Sequence, residues 1–307
     1  MIDNKTSKLF RGLAILMVIG SHYAGWMYTE PFNATWRDWV SSWGVYGVDI
    51  FFLLSGYGLV KAYEKNGIDR RFVVRRFLNS YVPYILIVGF FSVVVDKSLD
   101  SFEAVWKLII GFDFWFMCIL FAFYIMFMVF YKIGYFKEIL LTVGVIGFSY
   151  WLYTKEFADF WILSNGAFLI GVYAAAIEKK FGNKVKEFII KSNFSMIAFA
   201  TMVVCAFWHV FSGELNSHIF ASVMFTLMAL GLCVQFTGEG IVLPTLGRFS
   251  LYVYLLHTRL FWIVVGKYPE MSYFKLSVLA GVITLIVSVA IGFVFEFCLG
   301  KIGKLVK

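Results

Sequence analysis

The chain has 307 residues, 61% of them hydrophobic and only 15% charged. Soluble domains run at about 45–50% apolar residues, so a water-soluble globular protein is excluded and a polytopic membrane protein is expected. A formal charge of +8 would suggest nucleic acid on a soluble chain, but here the basic residues cluster between apolar runs, as a membrane topology requires, and no nucleic-acid partner is expected.

A helix needs about 20 apolar residues to cross a bilayer. Candidate spans occur at residues 9–28, 43–63, 81–95, 114–131, 138–153, 160–177, 194–211, 218–236, 250–265 and 274–299. With the N-terminus cytoplasmic, alternate connections collect most of the 27 Lys and Arg on the inside, which favours two cytoplasmic termini and an even number of spans. The expected fold is therefore an all-α integral membrane protein of ten transmembrane helices, a single domain over 1–307. The longest connection is expected over residues 61–80. The first run is too long for a signal peptide and lacks a small-residue cleavage site. No internal repeat is evident.

The first span contains RGLAILMVIGSH, from Arg11 to His22. Eleven helical steps turn the chain about 1100°, three turns plus about 20°, and raise it roughly 16 Å. Arg11 and His22 therefore share a face, Arg11 at the cytoplasmic end and His22 beyond mid-membrane. Arg11 alone reads equally as a snorkelling anchor, and His22 as a hydrogen-bonded packing residue. Ionisable groups at membrane depth are costly, however, and mark functional sites by default.

The second span, WGVYGVDIFFLLSGYGL, runs back and places Asp49 at the depth of His22. A carboxylate there could fix one imidazole nitrogen and raise the basicity of the other, leaving it as a general base. Asp49 could equally cap the helix start or face outer water. Gly44, Gly47, Gly56 and Gly58 around it suit close helix packing or backbone approach to a substrate. The next segment, KNGIDRRFVVRRFLNSYVPY, crowds Arg70, Arg71, Arg75 and Arg76 at the inner end. Topology alone could put them there. The sharper reading is a phosphate-bearing ligand, which suits Arg forks.

The cysteines, Cys118, Cys205, Cys233 and Cys298, lie in apolar runs at irregular spacing. That pattern reads as buried packing residues, with neither a metal set nor a disulfide framework. The ninth span, within LGRFSLYVYLLHTRLFW, carries Arg248 at its inner end, His257 near mid-membrane and Arg259 further out. A buried Arg must pair or line a wet cavity, and Asp49, Asp113 and Glu30 are its candidate partners.

Together these segments resemble the acyltransferase 3 family of integral membrane acyltransferases. RGLAILMVIGSH is similar to its Arg-x10-His signature, GVDIFFLLSGYGL to its Gly-Val-Asp segment, FVVRRFLNSYVPY to its Arg-rich stretch before a Pro, and LGRFSLYVYLLH to its late Ser-Tyr-Leu-His segment. FWFMCILFAFY after Asp113 resembles its central Trp-Phe stretch. Two positions depart from the pattern: Asn79 stands where members often have a second Arg, and Arg259 where a Pro is common.

The resemblance implies a stand-alone ten-helix core that takes an acyl group, usually acetyl, from cytoplasmic acyl-CoA. The acceptor is a hydroxyl on an envelope or exported carbohydrate or glycolipid. It implies donor binding by Arg11, Arg75, Arg76 and Arg248, and His22 as general base or transient acyl carrier oriented by Asp49. Ser55, Asn165 and Arg259 are candidate oxyanion donors, with His257 also in the groove. No metal is expected. The expected location is the plasma or inner membrane of a bacterial cell. The main alternative is a proton-coupled carrier, which uses the same buried groups but commonly shows paired repeats.

Overall fold

The computed structural model describes residues 1–26, 37, 40–236 and 238–305, with side chains to Lys301. Thirteen helices run through these residues, and no strand occurs among them. They are α1 Asn4–Gly25, α2 Trp43–Asn66, α3 Arg70–Val95, α4 Phe102–Ile110, α5 Trp115–Ile133 and α6 Lys137–Thr154. Then follow α7 Asn165–Phe181, α8 Asn183–Lys191, α9 Phe194–Ser212 and α10 Leu215–Gln235. Last come α11 Val242–Arg248, α12 Ser250–Lys267 and α13 Tyr273–Leu305.

By length and composition, seven described helices can cross a membrane: α2, α3, α5, α7 with the turn before it, α9, α10 and α13. The pair α11 and α12, bent by 81°, makes an eighth if it counts as one span. Helices α1 and α6 also sit at predicted spans but are less apolar. Lys5, Lys8, Arg11 and His22 interrupt α1, and Lys137 and Glu138 open α6.

The basic stretch expected as the longest connection is mostly helix. Only residues 67–69 separate α2 from α3, and Gly67 makes the turn at φ +67°. Asp69 then caps α3, its carboxylate accepting from the Phe72 N–H at 2.6 Å. All four arginines ride on the first turns of α3. A proline inside a helix lacks a donor and its ring crowds the carbonyl four residues back. Here a wider π turn over Phe77–Tyr81 precedes Pro83 and lets the helix continue to Val95. At 1.5 Å per residue, α3 spans roughly 37 Å, enough to join the two faces of a bilayer core about 30 Å thick.

Helices in lipid gain nothing from excluding water from each other, so close backbone approach and shape decide their packing. Two crossings depend on glycine. A Cβ on Gly247 of α11 would lie 1.7 Å from the Lys8 carbonyl oxygen of α1, and one on Gly171 of α7 would lie 2.0 Å from that of Leu53 of α2. Elsewhere aromatic rings fill the interior: Phe52 lies 5.1 Å from Phe116 and 5.4 Å from Phe123, which lies 4.8 Å from Phe168.

One face of the bundle gathers the start of α1, the end of α2, the arginines of α3, and Arg248 with its partner Glu296 of α13. The opposite face carries Asp96, just beyond α3, paired with Arg259 of α12. The four cysteines are free thiols. Cys233 is buried, but Cys298 is exposed on α13, so it is not the buried packing residue expected from its apolar surroundings. An apolar run reports burial in lipid as readily as burial in protein.

Candidate functional site

The last turn of α1 meets the middle of α12 through two imidazoles. His22 Nδ1 lies 2.6 Å from His257 Nε2, with the rings nearly parallel at 22° and their centroids 4.9 Å apart. His257 is 1% exposed, whereas His22 is only partly covered. The other nitrogen of His257, Nδ1, lies 2.6 Å from the Tyr254 carbonyl oxygen one turn earlier on α12. Thr258 Oγ1 approaches His257 Nε2 at 3.3 Å.

The helices carrying this pair are fastened beside it. The Tyr23 hydroxyl donates to the His257 carbonyl at 3.2 Å and lies 3.2 Å from Thr284 Oγ1 of α13. Aromatic rings close over the end of the pair. Trp26 stands 5.7 Å from His22, 4.7 Å from Phe261 and 5.5 Å from Trp262. The pair thus sits among apolar rings, with one ring nitrogen, His22 Nε2, making no hydrogen bond among the described residues.

The expected His22–Asp49 pair does not form. Asp49 is fully buried, and its Oδ1 accepts from the Ser222 hydroxyl of α10 at 2.8 Å. Its Oδ2 has no partner among the described residues. The cause is register as well as azimuth: with Gly44 against Ser21 and Gly47 against Ala14 and Val18, Asp49 lies some six residues, roughly 9 Å along the axis, from the level of His22. Gly44 and Gly47 are the residues of α2 that lie against Ser21, Ala14 and Val18 of α1. Asp49 follows Gly47 by two residues, about 200° around the helix, and so faces away from α1.

The basic residues divide into two groups. Arg75 and Arg76, with Lys61, Lys65 and Arg71, line a cavity of about 270 Å³ between the end of α2 and the start of α3. Arg11 is not among the residues that line this cavity, but Arg76 lies near enough for the two like charges to repel. Arg248, expected here, is committed elsewhere. Its Nε donates to Glu296 Oε1 at 2.7 Å, its Nη2 bonds the other carboxylate oxygen, and its guanidinium lies over Phe249.

The expected oxyanion donors are likewise spoken for or remote. Asn165 donates to Ser149 Oγ at 2.9 Å and to the Trp161 carbonyl at 3.1 Å, tying α7 to α6. Arg259 Nη2 pairs with Asp96 Oδ2 at 2.8 Å, and neither Asp49 nor Asp113 is its partner. Glu30, the third candidate, lies outside the described residues. Ser55 is partly buried and makes no hydrogen bond among the described residues. Asp96 escaped the sequence reading because an acid just past a span looks like an ordinary loop residue. Its place opposite Arg259 follows from the length of α3, which begins eleven residues before the expected span.

Comparison with known families adds one finding. A family model described as an acyltransferase domain matches residues 4–297, nearly the whole chain. No curated protein and no solved structure shows significant similarity to it.

Proposed function

The chain belongs to the acyltransferase 3 family, and from that premise we propose that it is a membrane O-acyltransferase moving an acyl group, acetyl foremost, from acyl-CoA to a carbohydrate hydroxyl of the cell envelope. The observation that carries this reading is the His22–His257 pair, which leaves one basic nitrogen uncommitted in a largely apolar site. A general base must reach the proton it removes, and His22 Nε2 is the nitrogen of the pair free to do so.

In this reading the cavity of Lys61, Lys65, Arg71, Arg75 and Arg76 holds the phosphates of the donor, because guanidinium forks match phosphate geometry. Arg11 continues that positive surface on to α1, roughly 16 Å along the helix from His22. The pantetheine arm runs up α1 and brings the thioester to the imidazoles. The basic face is cytoplasmic, and the membrane is that of a bacterial cell. His22 removes the proton of the acceptor hydroxyl as its oxygen attacks the thioester carbon. The carbon–sulfur bond then breaks, and the thiolate leaves with a proton as free CoA.

Mass analysis of the host's surface glycans tests this directly. Loss of the protein should remove a mass increment of one acyl group, restored by the wild type and not by His22→Ala. Unchanged glycans would exclude this acceptor class, and full restoration by His22→Ala would exclude His22 as the base. Incubation with labelled acyl-CoA and no acceptor separates direct transfer, which leaves the protein unlabelled, from a transient acyl group on His22.

A further inference from the structure

The heavy-atom positions around the two imidazoles determine where their hydrogens must be. A backbone carbonyl accepts hydrogen bonds and cannot donate. His257 Nδ1, 2.6 Å from the Tyr254 carbonyl oxygen, therefore carries a hydrogen. In the neutral ring, His257 Nε2 is then a bare acceptor. Its neighbour at 2.6 Å, His22 Nδ1, must be the donor of that bond. This leaves His22 with its lone pair on Nε2.

We propose that His257 is the positioning residue for His22: it holds the His22 ring as the Nδ1–H tautomer, aims Nε2 at the substrate, and shares the proton that Nε2 collects. The role resembles that of the carboxylate in a hydrolase triad, which orients its histidine and stabilises the imidazolium, but here a neutral imidazole performs it. A carboxylate at this depth would carry a buried charge at every stage of the reaction. An imidazole is charged only while the pair holds the extra proton, which limits the cost of burial.

The proton balance is complete within the pair. Deprotonation of the hydroxyl puts a proton on His22 Nε2, and the Nδ1 hydrogen moves toward His257 Nε2. The Tyr254 carbonyl continues to accept from His257 Nδ1, so the ring does not turn. When the thiolate leaves, Nε2 returns its proton to sulfur and the Nδ1 hydrogen returns to His22. Among the described residues, the titratable groups in contact with the pair are Tyr254, whose ring is 5.7 Å from His257, and Tyr23, whose hydroxyl is held by the His257 carbonyl. Arg259, two residues after His257 on α12, is paired with Asp96.

The chemical use of the tautomer rests on the acyltransferase reading, but the tautomer does not, and two readouts separate them. The first is nitrogen NMR of the full chain in lipid nanodiscs with labelled histidine, the four signals assigned by single substitutions. His22 should show a protonated Nδ1 and a bare Nε2, and His257→Leu should abolish that preference. A His22 protonated on Nε2, or a tautomer unchanged in His257→Leu, would overturn the proposal.

The second readout is turnover of acetyl-CoA with envelope glycan as acceptor. His257→Leu should lower kcat about 100-fold. His257→Gln keeps an acceptor oxygen for His22 Nδ1–H and should lower kcat about 10-fold, with the acetyl-CoA KM of both within about twofold of wild type. The kcat pH profile of His257→Leu should also move relative to wild type. Equal losses in the two variants, or a loss confined to KM, would make His257 a packing residue and overturn the proposal. A correct tautomer in a chain with no acyl transfer would support the positioning role and contradict the proposed function.

Discussion

Asp49 is the residue whose surroundings raise the sharpest question. It is a fully buried carboxyl that accepts from the Ser222 hydroxyl, with the Ser164 hydroxyl close by and Oδ2 without a well-formed hydrogen bond among the described residues. Removing the partner of a buried polar group costs about 1–3 kcal/mol. Ser222→Ala should therefore lower the thermal stability of the purified protein by about that amount, and Ser222→Thr, which keeps the hydroxyl, by much less. A melting curve of Ser222→Ala superimposable on wild type would mean the bond contributes nothing. The arginines allow a parallel comparison. Arg76 faces the cavity beside Arg11, whereas Arg248 is held by Glu296. Arg76→Ala should raise the acyl-CoA KM about tenfold, and Arg248→Ala should leave it nearly unchanged; equal effects in a steady-state assay would contradict the division between them.

Among the elements, the crossing of α1 and α11 is the tightest. The Lys8 carbonyl occupies the space a side chain on Gly247 would need, and overpacking costs about 1–3 kcal/mol or more when backbone must move. Gly247→Ala should thus destabilise the protein, while Gly147→Ala on α6, where nothing lies within 4 Å, should be neutral or mildly stabilising through helix propensity. Detergent-solubilised melting temperatures would show the contrast, and equal values would show that the helices separate freely.

Elements were also where the sequence was most informative. Each apolar run corresponds to a helix, because lipid demands both the apolar surface and the internal backbone bonding. The start of α3 was not legible, since arginines on the first turns of a helix read like arginines in a connection. The pairing of His22 was not legible either. Apolar-run lengths give depth only coarsely, and on that scale Asp49 and His257 are equally suitable. The register and rotation of each helix, set by glycine contacts such as Gly47 on Ala14 and Val18, select His257.

At the scale of the whole molecule, a basic cavity lies at one face, the Asp96–Arg259 pair at the other, and the two imidazoles within the bundle. This layout suits a donor held by its phosphates at one side while its reactive end reaches a partly covered base set among aromatic rings. High salt should weaken such phosphate contacts while leaving the buried imidazoles unaffected, so raising ionic strength should increase the acyl-CoA KM with little change in kcat. A salt effect on kcat alone would place the electrostatic contribution elsewhere.

The most direct test of the central claim is acyl transfer by the purified protein in liposomes, from labelled acetyl-CoA to envelope glycan, comparing wild type with His22→Ala. The account predicts labelled glycan and released CoA in equal amounts with the wild type, and loss of both in His22→Ala. Transfer by His22→Ala at the wild-type rate would contradict it.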